Sequence, residues 1–310
     1  MGQGLSAVVS SSPYRGRFAP TSSGPLHLGS LLTALASWLQ ARAAGGSWLL
    51  RIDDLDAERC RPEHADAILR QLEAHGLLWD EPPRVQSRQL PEYEAAFERL
   101  HDLGLLYPCA CTRAQLVQDS LPGVDGPVYA GTCRDRAVMS ERPAWRLRVG
   151  AGALRLDDPW QGELKRELQQ DLGDFVLRRA DGQIGYQLAC VVDEAAQRIS
   201  EVVRGADLIG SSFRQRHLQE LLGLPAPAYR HLPVLAGADG RKLSKQNHAR
   251  PIDAAHAAAN LHDCLELLGQ APPTALASAA ANEMLRWGRS NWNSTAVPAG
   301  LQHSIRAVQS

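Results

Sequence analysis

Three groups of residues in this chain have the types and spacing to do chemistry. Between Gly16 and Ser30 the sequence reads GRFAPTSSGPLHLGS, which sets glycines, hydroxyl residues and His27 between Arg17 and a leucine-rich segment. A helix that starts just after such a loop turns its unpaired first amides and the positive end of its dipole towards whatever lies in front of it, which makes a seat for polyphosphate. Gly24 and Gly29 clear the approach to the backbone, Thr21, Ser22 and Ser23 supply hydroxyls, and His27 can donate to phosphate oxygens. The second group, GRKLSKQN from Gly240 to Asn247, follows an expected strand over His231–Leu235. Lysine is a compact cation suited to charge that develops on phosphate during displacement; Lys245 is the first candidate and Lys242 the second. The third group is cysteine-rich, with Cys109 and Cys111 in PCACTR and Cys133 closing VYAGTC. Zinc favours four-coordinate sulfur and nitrogen sites, and no histidine lies between Cys109 and Cys133, so the fourth ligand stays open between Tyr129, water and an acid such as Asp125. Plainer readings stand beside all three: a structural loop with a helix cap, a solvated basic turn, and packed thiols.

The elements that must position these residues follow an α/β pattern. Tyr14–Ala19 reads as a short strand. Leu28, Leu31, Leu32, Leu35 and Leu39 then recur at the spacing of one helical stripe, Gly45-Gly46 ends the helix, and SWLLRI at 47–52 reads as a buried parallel strand. Pro62 with Gly76 brackets a second helix (Ile68, Leu69 and Leu72 inward), and Pro91 with Gly104 a third (Tyr93, Phe97 and Leu100 inward). Periodicity vanishes from Pro108 to about Arg142 and resumes with a strand at Trp145–Val149. Helix and strand then alternate through 187–194, 199–203, 207–223 and 231–235, and the alanine-rich remainder reads as helical.

Composition bounds the function. The chain has 310 residues, 44% hydrophobic and 22% charged, which suits a globular fold with a sizeable core. A formal net charge of -1 supplies no global field for nucleic acid, so an RNA contact would need a local patch; Glu201–Arg250 carries eight Lys/Arg against four Asp/Glu. No apolar run is long enough for a membrane helix and no secretory leader precedes Arg15, which makes the cytoplasm the expected location. The six cysteines then read as thiols or metal ligands rather than a disulfide framework.

His-Leu-Gly-Ser at 27–30 and Lys-Leu-Ser-Lys at 242–245 resemble the two signature motifs of class I aminoacyl-tRNA synthetases. With RIDDLD at 51–56 and EVVRGADLI at 201–209, the stretch from about 14 to 250 is similar to the glutamyl- and glutaminyl-tRNA synthetase catalytic domain. Ser30 stands where the wider class has a second histidine that the glutamyl branch commonly lacks. The resemblance implies a Rossmann-like parallel sheet over 1–107 and 143–250, interrupted by a zinc-binding insertion at 108–142 and followed by a short helical region at 251–310. It also implies a site. Arg17 and Arg204 would face the glutamate side-chain carboxylate and Asp53, where glutamate is usual, its ammonium. Tyr186, Thr21 and the backbone of Phe18, Ala19 and Pro20 would complete the glutamate seat. ATP, bringing Mg2+, would meet His27, Gly29 and Lys245. Zinc would sit on Cys109, Cys111, Tyr129 and Cys133.

Only 65 residues follow Lys245, too few for an anticodon-reading domain of ~100 residues. That length, KLSKQNHA and the cysteine segment resemble the stand-alone glutamyl-queuosine tRNA(Asp) synthetases. Members of that group activate L-glutamate with ATP without needing tRNA, and transfer it to the queuosine base in the anticodon loop of tRNA(Asp). A truncated synthetase charging a conventional tRNA end, and a catalytically silent RNA-binding paralogue, are the alternatives.

Overall fold

The computed structural model describes residues 13–236 and 250–304. The chain begins with β1 (Arg15–Phe18), α1 (Leu28–Ala43), β2 (Ser47–Ile52), α2 (Pro62–Ala74), β3 (Arg84–Val85) and α3 (Leu90–Asp102). β1, β2 and β3 pair in parallel, in that order. The leucine stripe of α1 forms as the spacing predicts, with Leu31, Leu32, Leu35 and Leu39 buried on the sheet. Each such side chain contributes about 2 kcal/mol by leaving water. Proline stands in the first turn of both α2 and α3, and Gly76 and Gly104 follow their ends at positive φ, where a side chain would be strained.

The middle of the chain changes architecture. It contains β4 (Leu106–Cys109), α4 (Arg113–Asp119), β5 (Ala144–Leu147), β6 (Ala153–Asp158), β7 (Gly162–Glu167) and β8 (Val176–Arg178). β4, β5 and β8 form an antiparallel sheet, and β6 and β7 an antiparallel hairpin. Antiparallel structure thus extends on both sides of the expected 108–142 insertion. Strict alternation along β6 buries Leu154, Leu156 and Asp158 on one face.

The parallel pattern returns with α5 (Tyr186–Ala196), β9 (Glu201–Gly205), α6 (Ile209–Leu222), β10 (Ala228–Leu232) and β11 (Val234–Ala236). β9 and β10 pair in parallel, with His231 opposite Arg204. β9 abuts β1, where the Ser200 amide donates to the Arg15 carbonyl at 2.9 Å. The expected strand at 231–235 is split at Pro233, which has no N–H to give a ladder.

After Arg250 come α7 (Ala257–Leu267), α8 (Ala281–Asn291) and β12 (Gln302–Ser304). Leu261, Cys264, Leu265 and Met284 join the core around α1. The final region is not wholly helical, because β12 pairs in parallel with β11. No helix among the described residues is long and apolar enough to cross a membrane.

Candidate active site

A cleft of about 450 Å³ opens at the carboxyl ends of β1 and β9, where an open parallel sheet leaves room for a ligand. Arg17, Phe18, Ala19, Pro20, Thr21, His27, Gly29, Tyr186 and Arg204 all line it, together with Arg51, Arg59 and Asp207. Residues expected for two different ligands therefore share one cavity.

His27 is the N-cap of α1, and its Nδ1 accepts from the Ser30 amide at 3.3 Å. In the neutral ring the proton then sits on Nε2, 3.1 Å from the Ser30 hydroxyl, so the serine orients the ring. A Cβ on Gly29 would lie 3.2 Å from the imidazole, a tight contact that glycine avoids.

The two arginines differ in their partners. Arg17 Nη2 donates to Glu194 Oε1 at 2.8 Å and Nη1 to the Val203 carbonyl at 3.4 Å. Arg204 is 3% exposed; Nη2 donates to Ser212 Oγ, its guanidinium stacks over Tyr229 at 5.0 Å, and among the described residues it has no ion pair and its Nε and Nη1 have no acceptor. A buried cation with unused donors is a strong attractor for an anion. Tyr186 begins α5 and is 41% exposed in the open cleft, where its hydroxyl is free to donate to a ligand.

Asp53 lies behind the cleft wall. Its backbone amide donates to the Pro20 carbonyl at 3.0 Å, and its carboxylate receives Arg51 Nε at 2.7 Å and Nη2 at 3.2 Å. Arg51 is also 3.6 Å from Asp193 and 3.9 Å from Glu194. Burial opposes the Arg51 charge, but Asp53 and Asp193 raise its pKa well above the ordinary value. Arg51, Asp193 and Glu194 were not singled out from sequence. The available signal was an adjacent acid pair on the otherwise apolar face of α5, which demands buried cations.

Lys242 and Lys245 lie outside the described residues. The chain on either side of them does not: Leu235 lines the cleft, Pro251 bridges His27, and the Ile252 amide donates to the Leu26 carbonyl at 2.9 Å.

Away from the cleft, Cys109, Cys111 and Cys133 form a group that could hold a metal ion, their sulfur atoms within 4.8 Å of one another. Tyr129 Oη is 3.5 Å from Cys109 Sγ and 3.3 Å from Cys111 Sγ, and accepts from the Cys133 amide at 2.8 Å. These separations approximate the edges of a tetrahedron with ~2.3 Å metal–sulfur bonds, so the donor set fits zinc. Asp125 instead forms a paired contact with Arg166 at 2.8 and 2.9 Å. Burial disfavours the Cys109 thiolate, yet hydrogen bonds from Arg146 and Tyr129 outweigh it and lower the thiol to about 7. Gly173, at φ +59°, supports this corner: a Cβ there would lie 2.3 Å from Val128 Cγ1, next to Tyr129. Gly173→Ala is expected to destabilise the protein by about 2 kcal/mol in urea unfolding; an unchanged midpoint would refute that packing.

The fold is of the parallel-sheet type with a cleft at the carboxyl ends of its strands, and the chain belongs to the family of class I tRNA synthetases (E and Q), which are ligases; the catalytic-domain model of that family matches residues 14–260. Among its relatives are proteins named Glutamyl-Q tRNA(Asp) synthetase. That of Thiobacillus denitrificans is 49% identical over 284 residues, covering 91% of this chain and 94% of its own. That of Methylococcus capsulatus is 48% identical over 297 residues, covering 95% and 96%. A glutamate-tRNA synthetase crystal structure from Elizabethkingia anophelis superposes with a TM-score of 0.76 at 25% identity, covering 94% of this chain and 68% of that one.

Proposed function

We propose that this protein activates L-glutamate with ATP and transfers it to the queuosine base in the anticodon loop of tRNA(Asp), in the cytoplasm. The observation that carries this reading is Arg204: a buried guanidinium without a carboxylate partner among the described residues, in the same cleft as the start of α1. Arg204 and Arg17 take the glutamate side-chain carboxylate through charge-assisted bonds that an amide cannot equal, and Tyr186 donates to the substrate. Asp53 faces the substrate ammonium as the shorter counterpart of the usual glutamate; with its carboxylate already held by Arg51, it acts chiefly as a negative charge behind the seat. Thr21 and the backbone of Phe18–Pro20 close the pocket.

ATP lies across the start of α1, against Gly29 and His27. The glutamate α-carboxylate attacks the α-phosphorus in line, the bond to the departing pyrophosphate breaks, and glutamyl adenylate results. His27, the helix terminus and Lys245 stabilise charge on the phosphates, with Lys242 in support. Anchoring of both flanks of the lysine segment at the cleft, through Leu235 and Pro251, favours this role. Magnesium arrives with ATP. A hydroxyl of the queuosine cyclopentenediol then attacks the acyl carbon, forming the ester as the bond to AMP breaks. Cys109, Cys111, Tyr129 and Cys133 hold one structural zinc that orders the insertion.

The test is glutamate-dependent pyrophosphate exchange without tRNA, followed by transfer of labelled glutamate to tRNA(Asp) with and without queuosine. Digested RNA should carry the label on the queuosine nucleoside; label on the terminal adenosine would overturn the reading. Lys245→Ala should slow adenylate formation at least a hundredfold with folding intact, and full activity in that variant would remove its assigned role.

A further inference from the structure

Behind Arg204 the hydrogen bonds continue through four elements. Ser212, on α6, lies with its Oγ 2.5 Å from Arg204 Nη2 and 2.6 Å from His231 Nε2. His231, on β10 and in register with Arg204, places Nδ1 2.6 Å from Asp158 Oδ2. Asp158 ends β6 on its buried face; Oδ2 also receives the His231 amide at 2.9 Å, and Oδ1 the amides of Trp160 and Gln161 at 2.8 and 3.2 Å. All four residues are buried.

The direction of each bond follows from what each group can give. A carboxylate accepts, so the His231 proton sits on Nδ1 and its Nε2 is an acceptor. The Ser212 hydroxyl then donates to Nε2, the nearer alternative to the Leu208 carbonyl at 3.2 Å, and its lone pairs receive Arg204. Burial lowers the His231 pKa and, helped by the Arg204 charge, outweighs the opposing pull of Asp158 and Asp207, which favours the neutral ring and this polarity of the chain. Serine, histidine and aspartate in this order have the composition of a hydrolytic triad. Here, however, the serine is fully buried and faces a guanidinium rather than the cleft.

We propose that Asp158, His231 and Ser212 form a positioning relay that aims Arg204 at the anionic end of the substrate, so that selection of a carboxylate depends on three residues that do not touch it. The relay fixes Nη2 from one side while the ring of Tyr229 supports the guanidinium face, and Arg204, whose buried Nε and Nη1 have no acceptor among the described residues, lines the cleft. The inference rests on the reading that Arg204 receives the glutamate side chain.

The experiment is glutamate-dependent pyrophosphate exchange in the full chain, with Ser212→Ala, Ser212→Thr and His231→Gln. Loss of one bond to a charged group predicts a rise in KM for glutamate of roughly tenfold or more in Ser212→Ala. KM for ATP should stay within about twofold, and the preference for glutamate over glutamine should fall by the same factor as the KM rise. Ser212→Thr, which keeps the hydroxyl, should recover most of the loss. His231→Gln should shift KM for glutamate in the same direction, and carries the test should Ser212→Ala fail to fold. Unshifted KM values in folded variants, or parallel rises for glutamate and ATP, would overturn the relay while leaving the substrate assignment intact. Wild-type protein with no glutamate-dependent exchange would remove both.

Discussion

Replacing Arg204 by glutamine is expected to lower kcat/KM for glutamate about a thousandfold, with KM for ATP nearly unchanged. A paired, desolvated contact between guanidinium and carboxylate is worth about 4 kcal/mol when one partner is truncated, and that energy corresponds to three orders of magnitude in specificity. Arg17 lines the same cleft, but Glu194 already balances its charge at 2.8 Å, so it adds less to the attraction for a second carboxylate. The two variants should therefore separate in stability. Arg17→Gln leaves Glu194, 2% exposed, without its nearest counter-ion, although Arg51 stands 3.9 Å away; a loss of roughly 3 kcal/mol in unfolding free energy is expected. Arg204→Gln removes a buried cation that has no ionic partner among the described residues, so folding should be almost unaffected while the reaction collapses, as expected where stability is given up for binding. Steady-state exchange and urea melts on both variants check this. Equal effects on stability, or retained glutamate turnover in Arg204→Gln, would refute the division of roles.

This contrast marks how far the chemistry could be read from the chain. Local rules carry α1, α2 and α3, because a leucine stripe, a first-turn proline and a following glycine act within a few residues of one another. The loop that leads into α1 was legible for the same reason: loop and helix are contiguous. Arg51 and Asp53 were legible in principle, since positions two apart along an extended chain share a face, and their contact makes Asp53 a bound partner rather than a free acceptor. Pro233 shows a local rule overlooked, for a residue without an N–H splits the strand expected over 231–235. Non-local pairing was not legible. His231 reaches Asp158 across 73 positions, and Arg17 reaches Glu194 across 177. Nothing in the periodicity of either segment identifies its partner, because the contact depends on how the hairpin β6–β7 and the helix α5 dock. The antiparallel sheet β4–β5–β8 was legible only in β5, which the expected strand at Trp145–Val149 overlaps; β4 and β8 are four and three residues long, too short for alternation to stand out among the prolines and glycines around them.

Removing metal is expected to loosen the insertion without unfolding the parallel core. Between Cys109 and Arg142 the chain has little apolar burial of its own; Val128 is covered, while Val117, Leu121, Val124 and Met139 remain exposed, and α4 buries no residue. Such a stretch cannot offset its conformational entropy by packing, whereas a four-ligand zinc closing the loop from Cys109 to Cys133 can. The strands that flank it are held differently: Leu106 and Leu147 belong to the second hydrophobic core, with Phe97, Leu177 and Phe213. Chelation, or Cys111→Ser, should therefore lower zinc content from about one per chain to near zero and open 110–142 to limited proteolysis, while far-ultraviolet dichroism changes little. Tyr129→Phe separates the fourth ligand from the packing role of the ring, which lies 3.8 Å beneath the Arg146 guanidinium and would stay there. Weakened zinc retention with an unchanged fold in that variant identifies the phenol oxygen as a ligand. Metal-replete protein containing well under one zinc per chain would leave the three thiols as packed cysteines, and the order of the insertion would then rest on Arg134 and Asp174, paired at 2.7 Å, and on the contacts around Val128.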